Sequence, residues 1–387
     1  MVRMNELTAP PTRTISLALQ GGGSHGAFTW GVLDALLADR RIAIEGISGA
    51  SAGAFNAVAL ASGHARGLAA GTDPHQSARD ALAHIWGEVV SLGRAGAMPQ
   101  NLVNLIWGGL PKEFAPTNFL ASAMRNWFSP YQANPLDINP LRNLLVREID
   151  FTAVAALQTP RVFVSATHVK TGKAALFSGP RLSAQAVMAS ACLPMLFHAV
   201  EIDGEPYWDG GYSANPAVMP LVDHCASADI VLVQINPVRS ERTPQTPGDI
   251  LDRVNELTFN ASLMSQMREI DFINRLLAEG LLQGNRCRSI LLHRIDGGAA
   301  MQDYSASSRG SADAGLIRTL FELGQQSGQQ WLTRHFDDLG QRSTIDIRRD
   351  YLDDTRVDSV RRANSATPVP RRGLGSLISA LFSRRKR

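Results

Sequence analysis

Ser51 stands in the run Gly49, Ala50, Ser51, Ala52, Gly53, a GxSxG between a strand-like stretch at 42–47 and an alanine-rich helical pattern at 54–62. A serine on such a sharp strand-to-helix turn is exposed above the sheet, and its neighbours must be small because other backbone comes close there. A helix starting just beyond it adds a dipole that favours a developing oxyanion. This is the setting of a nucleophile. In a chain with 33 glycines, five small residues also arise as a plain turn, so the serine needs partners.

A second run, Gly21, Gly22, Gly23, Ser24, His25, Gly26, follows a short apolar stretch at 15–20 and opens a helical pattern at 27–37. Successive amides without side chains at a helix N-terminus bind anions. In acyl transfer they would hold the tetrahedral oxyanion, where one lost donor typically costs about 2.7 to 4 kcal/mol. Gly21, Gly23 and Gly26 also satisfy the dinucleotide fingerprint GxGxxG, with Glu45 roughly where a ribose-binding acid could sit. Glu45 weakens that reading, because it falls inside the second strand and the chain after it turns into the serine motif. A candidate base follows at Asp209, Gly210, Gly211, after a strand-like 205–208. Alone, Asp-Gly-Gly is a common turn.

Together and in this order, the glycine run, the Ser51 elbow and Asp209-Gly210-Gly211 resemble the patatin-like phospholipase family. So do the stretches 51–57 (SAGAFNA), 189–194 (ASACLP) and 209–216 (DGGYSANP). The resemblance covers residues 14–235. It implies an α/β fold, a three-layer α/β/α sandwich with a mostly parallel central sheet. It also implies a serine hydrolase of lipid or other acyl esters, phospholipid above all, whose catalytic residues are Ser51 and Asp209 with no histidine. Asp209 would take the Ser51 proton, and water would release the acid from an acyl-enzyme. Gly21, Gly22, Gly23 and Gly26 would form the oxyanion hole, with Gly49, Gly53, Gly210 and Gly211 shaping the motifs. The family usually has Arg or Lys where this chain has His25, which implies a weaker or pH-dependent anion site. No cofactor is expected. The nine histidines form no HExxH or close ligand cluster, so no metal is expected either.

Two other readings use the same residues. An α/β-hydrolase esterase would recruit His224, His293 or His335 after Asp209 in the order Ser, Asp, His. A membrane-associated scaffold would keep the fold and lose the chemistry. The glycine run directly after the first strand, one unit before the serine, argues against the first, and the presence of both dyad residues against the second.

The elements needed to position these groups are legible. Strands alternating with helices imply a mostly parallel sheet, and further strand signals lie at 161–168, 174–177, 230–235 and 289–292. Long helical patterns run over 248–280, carrying Leu251, Val254, Leu257 and Phe259, and over 312–335. Residues 64–150, with Trp86, Trp107 and Trp127, Phe114, Phe119 and Phe128 and repeated prolines, are expected as a helical lid-like insertion in a hydrolase domain spanning 14–345. Such aromatic residues are more often core or lid packing than a lipid-facing belt, though a lid over an acyl channel would use the same ones. Residues 1–13 form a leader and 346–387 a C-terminal extension.

Hydrophobic residues make up 44% of the 387 and charged residues 19%, a globular balance, with no apolar run of about 18 residues to span a bilayer. The leader lacks the apolar core of a secretory signal, so a cytoplasmic location is expected. Cys192, Cys225 and Cys287 read as reduced core thiols. The net charge is +3, yet residues 361–387 carry eight basic and no acidic residues, leaving −5 on residues 1–360. No nucleic-acid partner is expected of such a body. Within the tail, Leu374, Leu377, Ile378, Leu381 and Phe382 fall on one helical face ahead of Arg384, Arg385, Lys386 and Arg387. Residues 374–387 are therefore expected to touch anionic membrane peripherally.

Overall fold

The computed structural model describes residues 12–94, 130–134, 137, 139–194, 197–240, 243–282, 288–302, 304 and 313–352. Its centre is an eight-stranded sheet. The first strand, β1 (Arg13–Leu19), lies between β2 (Ile42–Gly49) and β7 (Asp229–Gln234), and both pairings are parallel. Outward from these, β3 (Arg161–His168) extends β2 and β8 (Leu291–Asp296) extends β7, again in parallel. The β3 edge is completed by antiparallel β4 (Ala174–Ser178) and by β5 (Val200–Ile202) and β6 (Glu205–Asp209).

The strands bury both faces, as their continuous apolar runs require. Ile15, Leu17, Leu19, Val231 and Val233 join one core cluster, and Ala18, Ile230 and Leu232 join another on the opposite face. On the first face lie α1 (Gly26–Ala38), α2 (Ala52–Ala70), α3 (Pro74–Arg94) and α9 (Ala314–His335). The other face is covered by α7 (Met219–His224) and α8 (Pro247–Ala278). Shorter helices include α4 (Pro140–Glu148), α5 (Phe151–Ala156) and α6 (Ala184–Ser190). The layering is the expected α/β/α sandwich.

Some boundaries move for physical reasons. The second helix runs to Ala70, well past the expected residue 62, because its glycines admit a neighbour. A Cβ at Gly63 would fall 2.5 Å from the Ser77 carbonyl oxygen of α3. That helix buries Ala78, Ala81, Leu82, Ile85 and Trp86, so the segment expected as a lid-like insertion begins as part of the core. Strand β8 continues through His293, a polar residue in the middle of a buried strand. Its Nε2 sits 2.9 Å from Asp229 Oδ1, which removes the penalty of burying either group alone. Cys192 and Cys225 are buried thiols, as expected. Residues 95–129, with Trp107 and Trp127, and the tail from 353, with its apolar face and basic end, lie outside the described residues, as does Cys287.

Candidate active site

Parallel β1 and β2 deliver the glycine run and Ser51 to their carboxyl ends, where open α/β sheets bind ligands. Ser51 follows β2 and caps α2 at φ 51 and ψ −122, a conformation that side-chain-bearing residues rarely adopt. The elbow is held from several directions. Ser51 N–H donates to Ser190 Oγ at 2.9 Å, and Gly53 N–H to the Ala50 carbonyl at 2.8 Å. Added Cβ atoms at Gly49, Gly53 and Gly210 would fall 2.5, 2.3 and 2.1 Å from backbone atoms of Gly53, Leu19 and Ser165. The small residues are there because three chain segments meet.

Asp209 ends β6, opposite Ala166 of β3. Its N–H donates to the Cys192 carbonyl at 2.8 Å and its carbonyl accepts from Thr167 Oγ1 at 2.7 Å. The carboxylate Oδ1 accepts from Gly211 N–H at 2.6 Å. Burial raises its pKa from 3.8 to about 7, opposed by the Gly211 amide and the Ser51 hydroxyl, both of which favour the charged form. Oδ2 has no partner of ordinary hydrogen-bond geometry among the described residues, although the Ser51 hydroxyl lies near enough to act on the carboxylate as a donor. Such contacts commonly tighten only when substrate binds. Burial, helped by the nearby Asp209 carboxylate, pushes Tyr212 and Cys192 up to about 12.

The glycine run divides into two functions. Gly21 N–H is taken by Asn215 Oδ1 at 2.7 Å, and Gly26 N–H bonds the carbonyls of Gly23 and Ser24. Neither amide is available to an oxyanion, which corrects the expectation for those two. A Cβ on Gly21 would also fall 2.7 Å from Ser51 Cβ, so this glycine serves by letting the loop pass the nucleophile. The amides of Gly22, Gly23 and Ser24 make no hydrogen bond among the described residues, and Gly23 and Ser24 line the same cleft as Ser51. His25 departs from expectation too. Its ring is 1% exposed and meets the Tyr304 ring edge-on at 6.2 Å, and it does not line that cleft.

The competing sequence readings can be placed on this geometry. Glu45 sits at an irregularity in the β1–β2 register, and its carboxylate accepts from Ala226 N–H at 2.6 Å and Ser227 N–H at 2.7 Å, ahead of β7. It joins two segments at the strand end opposite the glycine run and is not placed for a ribose. His293 pairs with Asp229, the first residue of β7, and His335 with Asp338, while His224 stacks on Phe163 before β7 begins. The three candidate triad histidines thus have their partners away from Asp209.

Several supporting residues escaped the sequence reading. Gln20 Oε1 accepts from the N–H groups of Ile235 and Asn236 at 3.0 and 2.9 Å, and its Nε2 donates to Asn260 Oδ1 at 3.2 Å. Asn236 Nδ2 donates to the Gly21 carbonyl at 2.8 Å. The loop before the free amides is therefore gripped by both its N–H and its carbonyl. Asn215 and Ser190 lay inside motif-like stretches, but only the folded geometry shows what they hold. The one local signal for Gln20 was a polar residue ending an apolar strand. Asn215→Ala would leave the buried Gly21 amide unpartnered, costing about 1 to 3 kcal/mol. Thermal melting should show that loss, and kcat should fall while KM for a short ester stays within about twofold.

Beside Ser51 opens a cleft enclosing about 820 Å³, solvent at its mouth included. Phe55, Ile85, Trp86, Val89, Leu141 and Phe197 supply its walls, and no charged side chain lines it among the described residues. Trp86 fixes one wall to both motifs. Its indole N–H donates to Asn56 Oδ1 at 3.0 Å, and Asn56 Nδ2 donates to the carbonyls of Gly26 and Ala52 at 3.0 and 3.1 Å.

The three-layer α/β sandwich thus brings a strained serine elbow and an amide-rich loop to one apolar cleft, with a buried aspartate beside the serine. The chain belongs to the patatin-like phospholipase family, whose model matches residues 17–222, more than half of its length. It is thereby a lipid acyl hydrolase in class. Among solved structures, VipD from Legionella pneumophila aligns over 92% of this chain and 75% of that chain, at 15% identity and a TM-score of 0.39. No curated protein matches the sequence.

Proposed function

We propose that the protein hydrolyses acyl esters of phospholipids or related lipids through a Ser51–Asp209 dyad and an acyl-enzyme. The observation that carries this is the strained Ser51 turn facing a fully buried Asp209 beside an apolar cleft. Ser51 Oγ bonds to the ester carbonyl carbon as its proton passes to Asp209, and the carbonyl oxygen becomes an oxyanion held by the amides of Gly22, Gly23 and Ser24. Collapse breaks the ester C–O bond, and the leaving alcohol takes the proton back from Asp209. Water then repeats the sequence on the acyl-enzyme, with Asp209 as base, and frees the acid. The acyl chain occupies the apolar cleft, where its burial drives binding. We place the enzyme in the cytoplasm, with residues 374–387 as a peripheral contact to anionic lipid.

Incubation with a mixed lipid extract should release free fatty acids, identified by mass spectrometry, with long chains favoured over acetyl or butyryl esters. Release from neutral glycerides alone would redirect the substrate assignment away from phospholipid. No fatty acid from any lipid class, alongside an unreactive Ser51, would remove the hydrolase reading.

A further inference from the structure

The loop 21–26 is pinned to the serine elbow at both of its ends. At its start a Cβ on Gly21 would fall 2.7 Å from Ser51 Cβ, and at its end a Cβ on Gly26 would fall 2.7 Å from Ala52 Cβ. Asn56 secures the second contact by donating from Nδ2 to the carbonyls of Gly26 and Ala52. Between these pins Gly23, at φ 59, turns the chain sharply, and Gly23 and Ser24 both line the cleft beside Ser51.

Ser24 adds a side-chain donor at this point. The residue is 6% exposed, and its hydroxyl makes no hydrogen bond among the described residues. It is nevertheless not sealed into the core as the hydroxyls of Ser16, Thr29 and Ser48 are, and the surface that Ser24 lines is the cleft. Around it the walls are apolar. Apart from Ser51, the other polar side chain lining the cleft among the described residues is Asn139, whose Oδ1 is spent capping α4 through the Leu141 N–H at 3.2 Å. A hydroxyl held almost buried without a partner is costly unless a group arrives that accepts from it.

We propose that the Ser24 hydroxyl is a catalytic residue that donates to the oxyanion on the ester carbon, beside the backbone amides of the same loop. The role rests on the Ser51–Asp209 reading above. The turn fixes the direction of each amide, whereas a hydroxyl rotates about its Cβ–Oγ bond and can follow the carbonyl oxygen as the carbon goes from trigonal to tetrahedral. A hydrogen bond to a full negative charge is stronger than one to a neutral ester carbonyl. The contact therefore favours the transition state over the bound ester and raises kcat more than affinity. Ser24 keeps its own proton throughout, and Asp209 handles the one that leaves Ser51.

Ser24→Ala deletes the donor and no bond that holds the fold. Three quantities are compared with wild type: kcat and KM for a short-chain p-nitrophenyl ester, and Ki for an alkyl trifluoromethyl ketone, to which Ser51 Oγ adds to give a tetrahedral oxyanion. Counting kcat per fluorophosphonate-labelled serine keeps unfolded molecules out of the comparison. In the variant kcat should fall about 10² to 10³-fold and the ketone Ki should rise by a comparable factor, while KM stays within about twofold. Unchanged kcat and Ki overturn the role. So does a raised KM with kcat unchanged, which would make Ser24 a contact to the bound ester alone. In both of those outcomes wild type still labels at Ser51, so the nucleophile stands. A wild type that neither labels at Ser51 nor hydrolyses any ester removes the Ser51 reading, and the Ser24 role with it.

Discussion

Ser51→Ala should abolish lipid hydrolysis and leave the fold intact. The side chain contributes one hydroxyl and no packing volume that alanine lacks, and the turn is fixed by contacts the substitution spares. These are the Ser51 N–H bond to Ser190 and the approach of Gly53 to Leu19. Without the hydroxyl no acyl-enzyme forms. What remains is any direct attack of water helped by the oxyanion amides, and a loss of at least about 10⁴-fold in kcat is expected. A fluorophosphonate probe should label the wild type stoichiometrically and the variant not at all, and the melting temperatures should agree within about 2 °C. Persistent labelling of Ser51→Ala would place the nucleophile elsewhere. A collapse of the fold would make the strained turn dependent on the hydroxyl, against the contacts seen.

Most of this site was legible because its parts are local. A strand, a small-residue turn and a helix follow one another in sequence at 42–62, and the glycine run does the same at 15–37. Asp209 was legible through its motif, but its elevated pKa was not, since that depends on packing by residues far away in the chain. The division of labour within the glycine run was hidden for the same reason. Gly21 and Gly26 look identical to Gly22 and Gly23 until Asn215, 194 residues distant, arrives to accept the Gly21 N–H. Hydrophobic pattern misled where burial was not its cause. Leu251, Val254 and Leu257 support a helix, and the helix exists, yet the buried contacts beyond them come from Phe259, Leu263, Met267 and Ile270. His293 made the opposite error, a polar residue that ends a predicted strand but is buried by pairing with Asp229.

Asp209→Asn should separate the cost of the site from its use. The base must be ionised to take the Ser51 proton, so wild-type kcat/KM should rise with pH and reach half its plateau near pH 7, where burial has moved this carboxyl. Asparagine cannot accept the proton, and a loss of about 10² to 10⁴-fold is expected, with the rise through pH 7 gone from whatever activity persists. Stability should move the other way. The folded pKa lies above the unfolded one, near 3.9, so the folded state holds the proton more tightly. The stability linked to that proton is fully present below about pH 4 and is lost as pH climbs to about 7, because the charge must then be buried. Three pKa units correspond to at most about 4 kcal/mol. Asparagine keeps an oxygen for the Gly211 amide, which donates to Oδ1 at 2.6 Å, and carries no charge to bury. The variant should therefore melt several degrees above wild type at pH 8, with the gap narrowing steadily toward pH 4. Equal melting curves at pH 8, or a gap that widens on acidification, would mean that Asp209 is not a destabilised carboxylate. The pH 7 midpoint in activity would then need another titrating group.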